Sequence, residues 1–314
     1  MNVLIWHVHG SWTTAFVRGS HTYLVPVLPD RGPDGRGRPD RPGTFDWPAS
    51  AVEVSPGELR DAAVDVVVLQ RPHERDLAAE WLGGRVPGVD VPAVYLEHNA
   101  PQGMVNEMRH PAADWPGVTV VHVTHFNDLF LDCGTSPTRV VEHGVVDPGY
   151  RYTGEIAAGC VVVNEPVRRR RVTGTDLLDR FRAAVPVDLF GMRSEPLGGD
   201  DLPQSELHPA MARRRVYLHP VRWTSLGLSL LEAMHLGMPV VALATTEVVE
   251  AVPPGAGVVS TDVDRLVRAA RDLVGDPELA RAMGKAAREA ALARYGLARF
   301  LDDWERVLAE VTAG

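Results

Sequence analysis

Short apolar runs of three to seven residues, each closed by glycine, proline or a polar cluster, restrict the fold of this chain more than any other feature. Asn2-Val3-Leu4-Ile5-Trp6-His7-Val8 opens as a buried strand and stops at His9-Gly10-Ser11. Val64 to Leu69, Ala93 to Leu96 and Val118 to Val123 repeat the pattern in the first half. Cys160 to Val163, Val187 to Phe190, Val216 to Leu218, Pro239 to Ala242 and Gly257 to Val259 repeat it in the second. Runs this apolar suit strands covered on both faces, as in a parallel sheet flanked by helices. Helices fit between or after them at Asp176 to Ala184, Ser229 to Leu236, Val263 to Val274, Asp276 to Tyr295 and Leu297 to Val311. Both halves therefore read βαβα.

With 314 residues, the chain has the length of two ordinary domains. The glycines, the proline and the few apolar residues from Gly144 to Ala158 mark the linker. The expected architecture is α/β, with two Rossmann-like domains facing across a cleft. The first domain spans 1–150 and the second 151–298, and a terminal helix, 299–314, packs back on the first. Residues 29–48, rich in Pro, Gly, Arg and Asp, read as an exposed loop that could wall a binding site. Polar clusters follow the strands at Arg71 to Glu74, Glu97-His98-Asn99 and Thr124 to Asn127, and in open parallel sheets ligands bind beyond strand carboxyl ends.

Composition removes several function classes. A net charge of −9 disfavours a nucleic-acid partner. Two cysteines, Cys133 and Cys160, exclude a disulfide scaffold and a cysteine-rich zinc site, and suit buried residues in a reducing compartment. The apolar stretch Ala233 to Thr246 falls short of the ~20 residues of a membrane span. The first residues lack the basic start of a secretory signal. A cytoplasmic protein without an integral membrane segment is expected. His7 and His9, read as sharing a strand face, have no third ligand at a useful spacing, so no metal is expected. Asp262-Val263-Asp264 opens a helix and reads as a cap. The phosphate-binding Gly-x-x-x-x-Gly-Lys, the Gly-x-Gly-x-x-Gly of dinucleotide folds and the Gly-x-Ser-x-Gly of hydrolases are missing.

The most informative segment runs from Val216 to Val252. A strand ends at His219-Pro220, and a loop passes through Thr224-Ser225-Leu226-Gly227. A helix then starts that carries Glu232 among apolar residues. Gly227 at that amino end permits close backbone approach and leaves N–H groups for an anion such as a diphosphate. A buried Glu232 needs a partner. Two vicinal ribose hydroxyls would supply one, as would a backbone group or an arginine.

These residues resemble the C-terminal signature of retaining GT-B glycosyltransferases of the family-4 type. That signature has a loop glutamate, Gly-Leu, a second glutamate eight positions after the first, and then a run matched here by Ala233-Met234-His235-Leu236-Gly237-Met238-Pro239-Val240-Val241-Ala242. Glu250 stands where the family has a later glutamate. Asp276-Pro277-Glu278-Leu279 and Met283-Gly284 continue the likeness, which reaches the first half through His98 and Val140 to Val145. Two positions depart from the pattern. Thr224 replaces the first glutamate, and Val167-Arg168-Arg169-Arg170-Arg171 replaces the family's Gly-Arg and later lysine.

The resemblance implies glycosyl transfer from a nucleotide-diphosphate sugar to an acceptor hydroxyl or amine, with retention and without a metal or other cofactor. It implies that Glu232 holds the ribose and that Gly227, Leu228 and Ser229, with Arg169 and Arg171, hold the diphosphate. Arg169 and Arg171 are paired by their common parity on an extended chain. Gly10 and Ser11 would bring backbone amides to the phosphates, and His98 and Thr224 would orient the donor sugar. Two alternatives stay open on the residues alone: a sugar-nucleotide epimerase of the same fold, and a non-catalytic protein that binds sugar nucleotides.

Overall fold

The computed structural model describes residues 1–41 and 43–314, so Pro42, inside the expected 29–48 loop, lies outside the described residues. Two compact units emerge. One comprises Met1–Gly144 with Leu297–Gly314, and the other Val145–Gly296.

In the first unit seven parallel strands form one sheet. They are β1 (Asn2–Ile5), β2 (Thr22–Pro26), β3 (Ala51–Val54), β4 (Val66–Leu69), β5 (Ala93–Glu97), β6 (Val118–His122) and β7 (Thr138–Val140), in the order β3-β2-β1-β4-β5-β6-β7. Four helices connect them: α1 (Gly10–Phe16), α2 (Pro56–Leu59), α3 (Glu74–Trp81) and α4 (His125–Phe130). β4 is buried along its whole length, which is why its sequence is an unbroken Val-Val-Val-Leu.

The second unit has five parallel strands: β8 (Ile156–Val162), β9 (Val187–Phe190), β10 (Arg214–His219), β11 (Val240–Leu243) and β12 (Gly257–Ser260), in the order β12-β11-β10-β8-β9. Its helices are α5 (Pro166–Thr173), α6 (Leu178–Arg182), α7 (Gln204–Ala212), α8 (Leu228–Leu236), α9 (Val248–Ala251), α10 (Val263–Gly275) and α11 (Pro277–Tyr295). The carboxylate of Asp262 accepts the amides of Asp264 and Arg265 at 2.9 and 3.2 Å and starts α10. Asp276 does the same for α11 through Glu278 and Leu279, at 3.0 Å each.

The chain then returns to the first unit as α12 (Leu297–Ala313). Phe300, Trp304, Val307 and Leu308 recur at helical spacing and are buried. The Trp304 ring meets Trp12 and Phe16 of α1 edge-on, at centroid distances of 5.5 and 5.0 Å. Each such pair adds about 0.5–1.5 kcal/mol beyond its burial.

Both sheets reverse strand order once, between β1 and β4 in the first unit and between β8 and β10 in the second. These reversals are the places where doubly wound sheets hold ligands.

Several expectations need correction. β2, β3 and β7 escaped the sequence reading. β1 stops at Ile5, so His7 and His9 do not share a strand face. His7 Nδ1 lies 2.9 Å from the Gly37 carbonyl, whereas the His9 ring packs at a tilt of 45° against His98 with centroids 3.9 Å apart. The described residues of 29–48 are irregular and mostly exposed in whole or in part, as expected, and a few contacts hold them to the first unit. Trp47 is buried and donates to Thr14 Oγ1 at 2.8 Å. Asp34 meets Arg71 at 2.9 Å and His73 at 2.8 Å, and the Phe45 ring lies against Gly10 where a side chain would otherwise stand. Cys133 and Cys160 are free and buried. Among the described residues, no helix is long and apolar enough to cross a membrane.

Candidate functional site

The reversal point of the second sheet collects most of the residues singled out in that half. β8 ends at Val162 and β10 at His219. Gly227 caps α8 with ordinary backbone angles (φ −73°), so its lack of a side chain answers to space and not to conformation. A Cβ placed there would lie 2.6 Å from His219 Cε1 and 3.2 Å from its Nε2. The bare Gly227 lets the His219 ring press against the amino end of the helix. The first amides of α8, those of Leu228 and Ser229, find no carbonyl inside the helix and form the positive end of its dipole.

Substituting Gly227→Ala should therefore push the helix start off the imidazole. An overpacked site costs about 1–3 kcal/mol, read as a lower melting temperature together with weaker anion binding.

Glu232 follows Ser229 by three residues, a spacing that keeps both on adjoining parts of one helix face. It is 6% exposed. His208 of α7 stands 3.6 Å from its Oε2, and the His208 ring also meets the Gln204 side-chain amide at 2.7 Å. The partner in view is thus a histidine, which sequence reading did not anticipate.

Arg169 and Arg171 lie on α5 and not on an extended chain, so the parity that paired them fails, and Arg170 between them breaks the helix with non-helical backbone angles (φ 10°, ψ −84°). Arg169 is half-buried, and burial, then Arg168, lowers its pKa. Arg171 is 77% exposed, with Nη1 3.6 Å from Asp176. Asp176 is also gripped by both terminal nitrogens of Arg222. The backbone of Arg222 and Trp223 donates to the Val172 carbonyl at 2.8 and 3.2 Å. That stitch ties the end of α5 to the loop carrying Thr224, which is partly exposed. Glu250 is exposed on α9.

The first unit holds the remaining candidates at the carboxyl ends of its strands. His98 is buried at the end of β5. His9, just before Gly10 and Ser11, packs against it at a tilt, and Trp12, just after them, meets it edge-on at 5.1 Å. The structure therefore brings Gly10, Ser11 and His98 into one neighbourhood. Burial, reinforced by His9 and His143, holds the His98 pKa well below the usual value, and burial brings His9 to about 4. These rings are neutral at pH 7.

Glu97 anchors the turn. Its Oε1 accepts the Asn99 backbone and side-chain amides at 2.6 and 3.0 Å, and its Oε2 faces His110 Nε2 at 3.1 Å. His110 Nδ1 accepts the Ala112 amide at 3.0 Å, so the proton sits on Nε2 and donates to Glu97. Among the described residues, no three His, Cys, Asp or Glu side chains converge to hold a metal.

Known proteins place this geometry. Residues 200–290 match the family described as glycosyl transferases group 1. No curated protein matches the chain by sequence. Among solved structures, sucrose-phosphate synthase from Thermosynechococcus elongatus superposes with a TM-score of 0.73 at 12% identity, covering 100% of this chain and 99% of the other. HepE from Anabaena, solved with UDP-glucose, gives 0.69 at 14%, covering 99% and 100%. WaaG, a glycosyltransferase involved in lipopolysaccharide biosynthesis, gives 0.67 at 14%, covering 100% of both chains. At these identities the structural likeness is one of fold. The segment 200–290, which carries Gly227, Ser229 and Glu232, is thus similar to the group 1 glycosyltransferases, and the chain shares the two-sheet fold of the solved enzymes it resembles.

Proposed function

We propose that the protein transfers a sugar from a nucleoside-diphosphate sugar to an acceptor hydroxyl or amine, with retention at the anomeric carbon. The observation that carries this reading is the placement of a buried carboxylate, Glu232, three residues past Ser229, on the helix whose amino end lies at the reversal point of the second sheet. Glu232 accepts both ribose hydroxyls. The amides after Gly227, at Leu228 and Ser229, bind the diphosphate, and Arg169 neutralises it, with Arg171 contributing less because Asp176 already engages it. The chemical demand is to stabilise charge on the departing diphosphate, and fixed amides and a half-buried guanidinium meet it without reorganising.

Thr224 offers a hydroxyl where the resembled family carries a carboxylate, so it orients the donor sugar as a neutral partner. His98, held neutral, is assigned the same role, and Gly10 and Ser11 a backbone contact to the phosphates. Retention then proceeds on one face. The acceptor oxygen bonds to the anomeric carbon as the carbon–phosphate oxygen bond breaks, and the acceptor proton passes to the departing phosphate. No metal or other cofactor takes part.

Calorimetry with UDP, GDP, ADP and dTDP, without added metal, tests the reading. UDP comes first because HepE is solved with UDP and with UDP-glucose. One nucleotide should bind, and Arg169→Ala should weaken it about 10- to 100-fold, as expected for a charge-assisted contact of about 1.5–3 kcal/mol. The matching nucleoside, without phosphates, should be unaffected. Binding of none of the four would overturn the proposal.

A further inference from the structure

Beneath the amino end of α8 lies a chain of buried polar groups that the transfer reaction as described does not use. Tyr217 and His219 alternate along β10 and so share a face of the sheet. His219 Nδ1 is 3.5 Å from the Tyr217 hydroxyl, which is 2.9 Å from Ser229 Oγ, and Ser229 Oγ reaches the Val162 carbonyl at 3.4 Å. Tyr217 and His219 are fully enclosed, whereas Ser229 is partly exposed on the first turn of α8. His219 Nε2 has no hydrogen-bond partner among the described residues.

Proton bookkeeping gives the chain one direction. Burial lowers the His219 pKa to about 4, so the ring is neutral and carries one proton. An orphaned N–H is rarer in proteins than an under-satisfied acceptor, so the orphaned Nε2 holds the lone pair and Nδ1 holds the proton. His219 Nδ1 then donates to Tyr217, Tyr217 donates to Ser229 Oγ, and Ser229 gives its own proton outward. With nothing bound, that proton goes to the Val162 carbonyl at a length where a hydrogen bond is weak. Little is lost when it turns to a better acceptor.

We propose that His219 and Tyr217 are positioning residues that polarise the Ser229 hydroxyl toward an anionic oxygen bound at the amino end of α8. Hydrogen bonds aligned head to tail strengthen one another in a low-dielectric interior, so the last donor of the chain is a stronger donor than an isolated serine. This inference rests on the diphosphate reading of the site, and it adds a side-chain donor to the backbone amides there. The Gly227 gap serves the same end, because it admits the imidazole that starts the chain.

A double-mutant cycle tests it on the full-length protein. Tyr217→Phe removes one oxygen and keeps the shape, and Ser229→Ala removes the final donor. Affinity is measured by calorimetry for whichever nucleoside diphosphate the wild type binds and for the matching nucleoside, with melting temperatures confirming that each variant is folded. Tyr217→Phe should weaken the diphosphate about five- to tenfold and leave the nucleoside unchanged, and its effect should vanish in the Ser229→Ala background. Equal weakening of nucleoside and diphosphate by Tyr217→Phe would overturn the relay, as would the same fold-change with and without Ser229. Those results would leave the diphosphate reading standing, since wild-type binding would be intact. A wild type that binds no nucleoside diphosphate overturns both.

Discussion

Lowering the pH from 7 to 5 is expected to unfold the first unit before the second. His122 and His143 of the first unit and His219 of the second are almost wholly buried. Burial depresses their pKa values to about 4, 3 and 4. In the unfolded chain each returns to about 6.5. A depressed histidine pKa means that the unfolded chain takes up the proton first. The stability tied to these rings is therefore complete above pH 6.5 and is withdrawn as pH falls toward 4. At pH 5 the loss is roughly 2 kcal/mol per ring, and it accumulates to about 4 kcal/mol in the first unit from two rings. Buried His98 adds to that side, because its pKa is also held far down. Net stabilities of about 5–15 kcal/mol leave little room for such a loss.

Carboxylates act in a lower window. Asp34 and Asp147 have lowered pKa values through their His73 and Arg288 hydrogen bonds, so their contributions fade only as pH drops below about 4. Tryptophan emission separates the units. Trp6, Trp12, Trp47, Trp81, Trp115 and Trp304 belong to the first and only Trp223 to the second. Emission should change near pH 5, ahead of the change in far-ultraviolet circular dichroism that reports both units. A single transition below pH 4 would assign acid unfolding to carboxylates and refute the histidine account.

How much of this was legible in the sequence depended on element length and on partners distant along the chain. β4 stood out because both faces are covered and the sequence is apolar throughout, whereas only the end of β8 from Cys160 did, its first three residues falling inside the expected linker. β2, β3 and β7 lie at or toward the sheet's edges, and β3 and β7, at four and three residues, are too short for any periodicity to rise above chance. α5 has almost no apolar face, since four arginines fill its middle, so only Pro166 at its first turn signalled a helix. Glu232 was legible because a charge inside an apolar helix is costly. His208, its neighbour, was not, because nothing local to Leu207-His208-Pro209 says which helix it will face. Tyr217 and His219 had a readable signal in their shared parity on one strand, which the apolar character of that run obscured.

Replacing Glu232 with alanine should abolish most nucleotide binding while leaving the fold intact. The carboxylate is 6% exposed, with His208 3.6 Å from its Oε2, and its two oxygens match a ligand with paired hydroxyls. Two ribose hydroxyls donating to it form charge-assisted bonds, and losing one such contact costs about 1.5–3 kcal/mol. A loss of about 100-fold in affinity is a conservative expectation for both. The unliganded protein should not suffer in proportion, because the variant also removes a buried charge whose desolvation opposed folding. Melting temperature and affinity should thus move apart, which a general disruption of α8 cannot produce.

The sharper readout uses the ligand instead of the protein. The wild type should prefer the ribonucleotide over its 2′,3′-dideoxy analogue, and Glu232→Ala should bind both equally weakly. If the variant keeps the preference, another group reads the ribose and Glu232 is a structural carboxylate paired with His208. Diphosphate contacts by Arg169 and the α8 amides would then remain, with Arg169→Ala still weakening the nucleotide and not the nucleoside. The ribose and phosphate assignments of this site can therefore fail separately, because each rests on a different atom of the ligand.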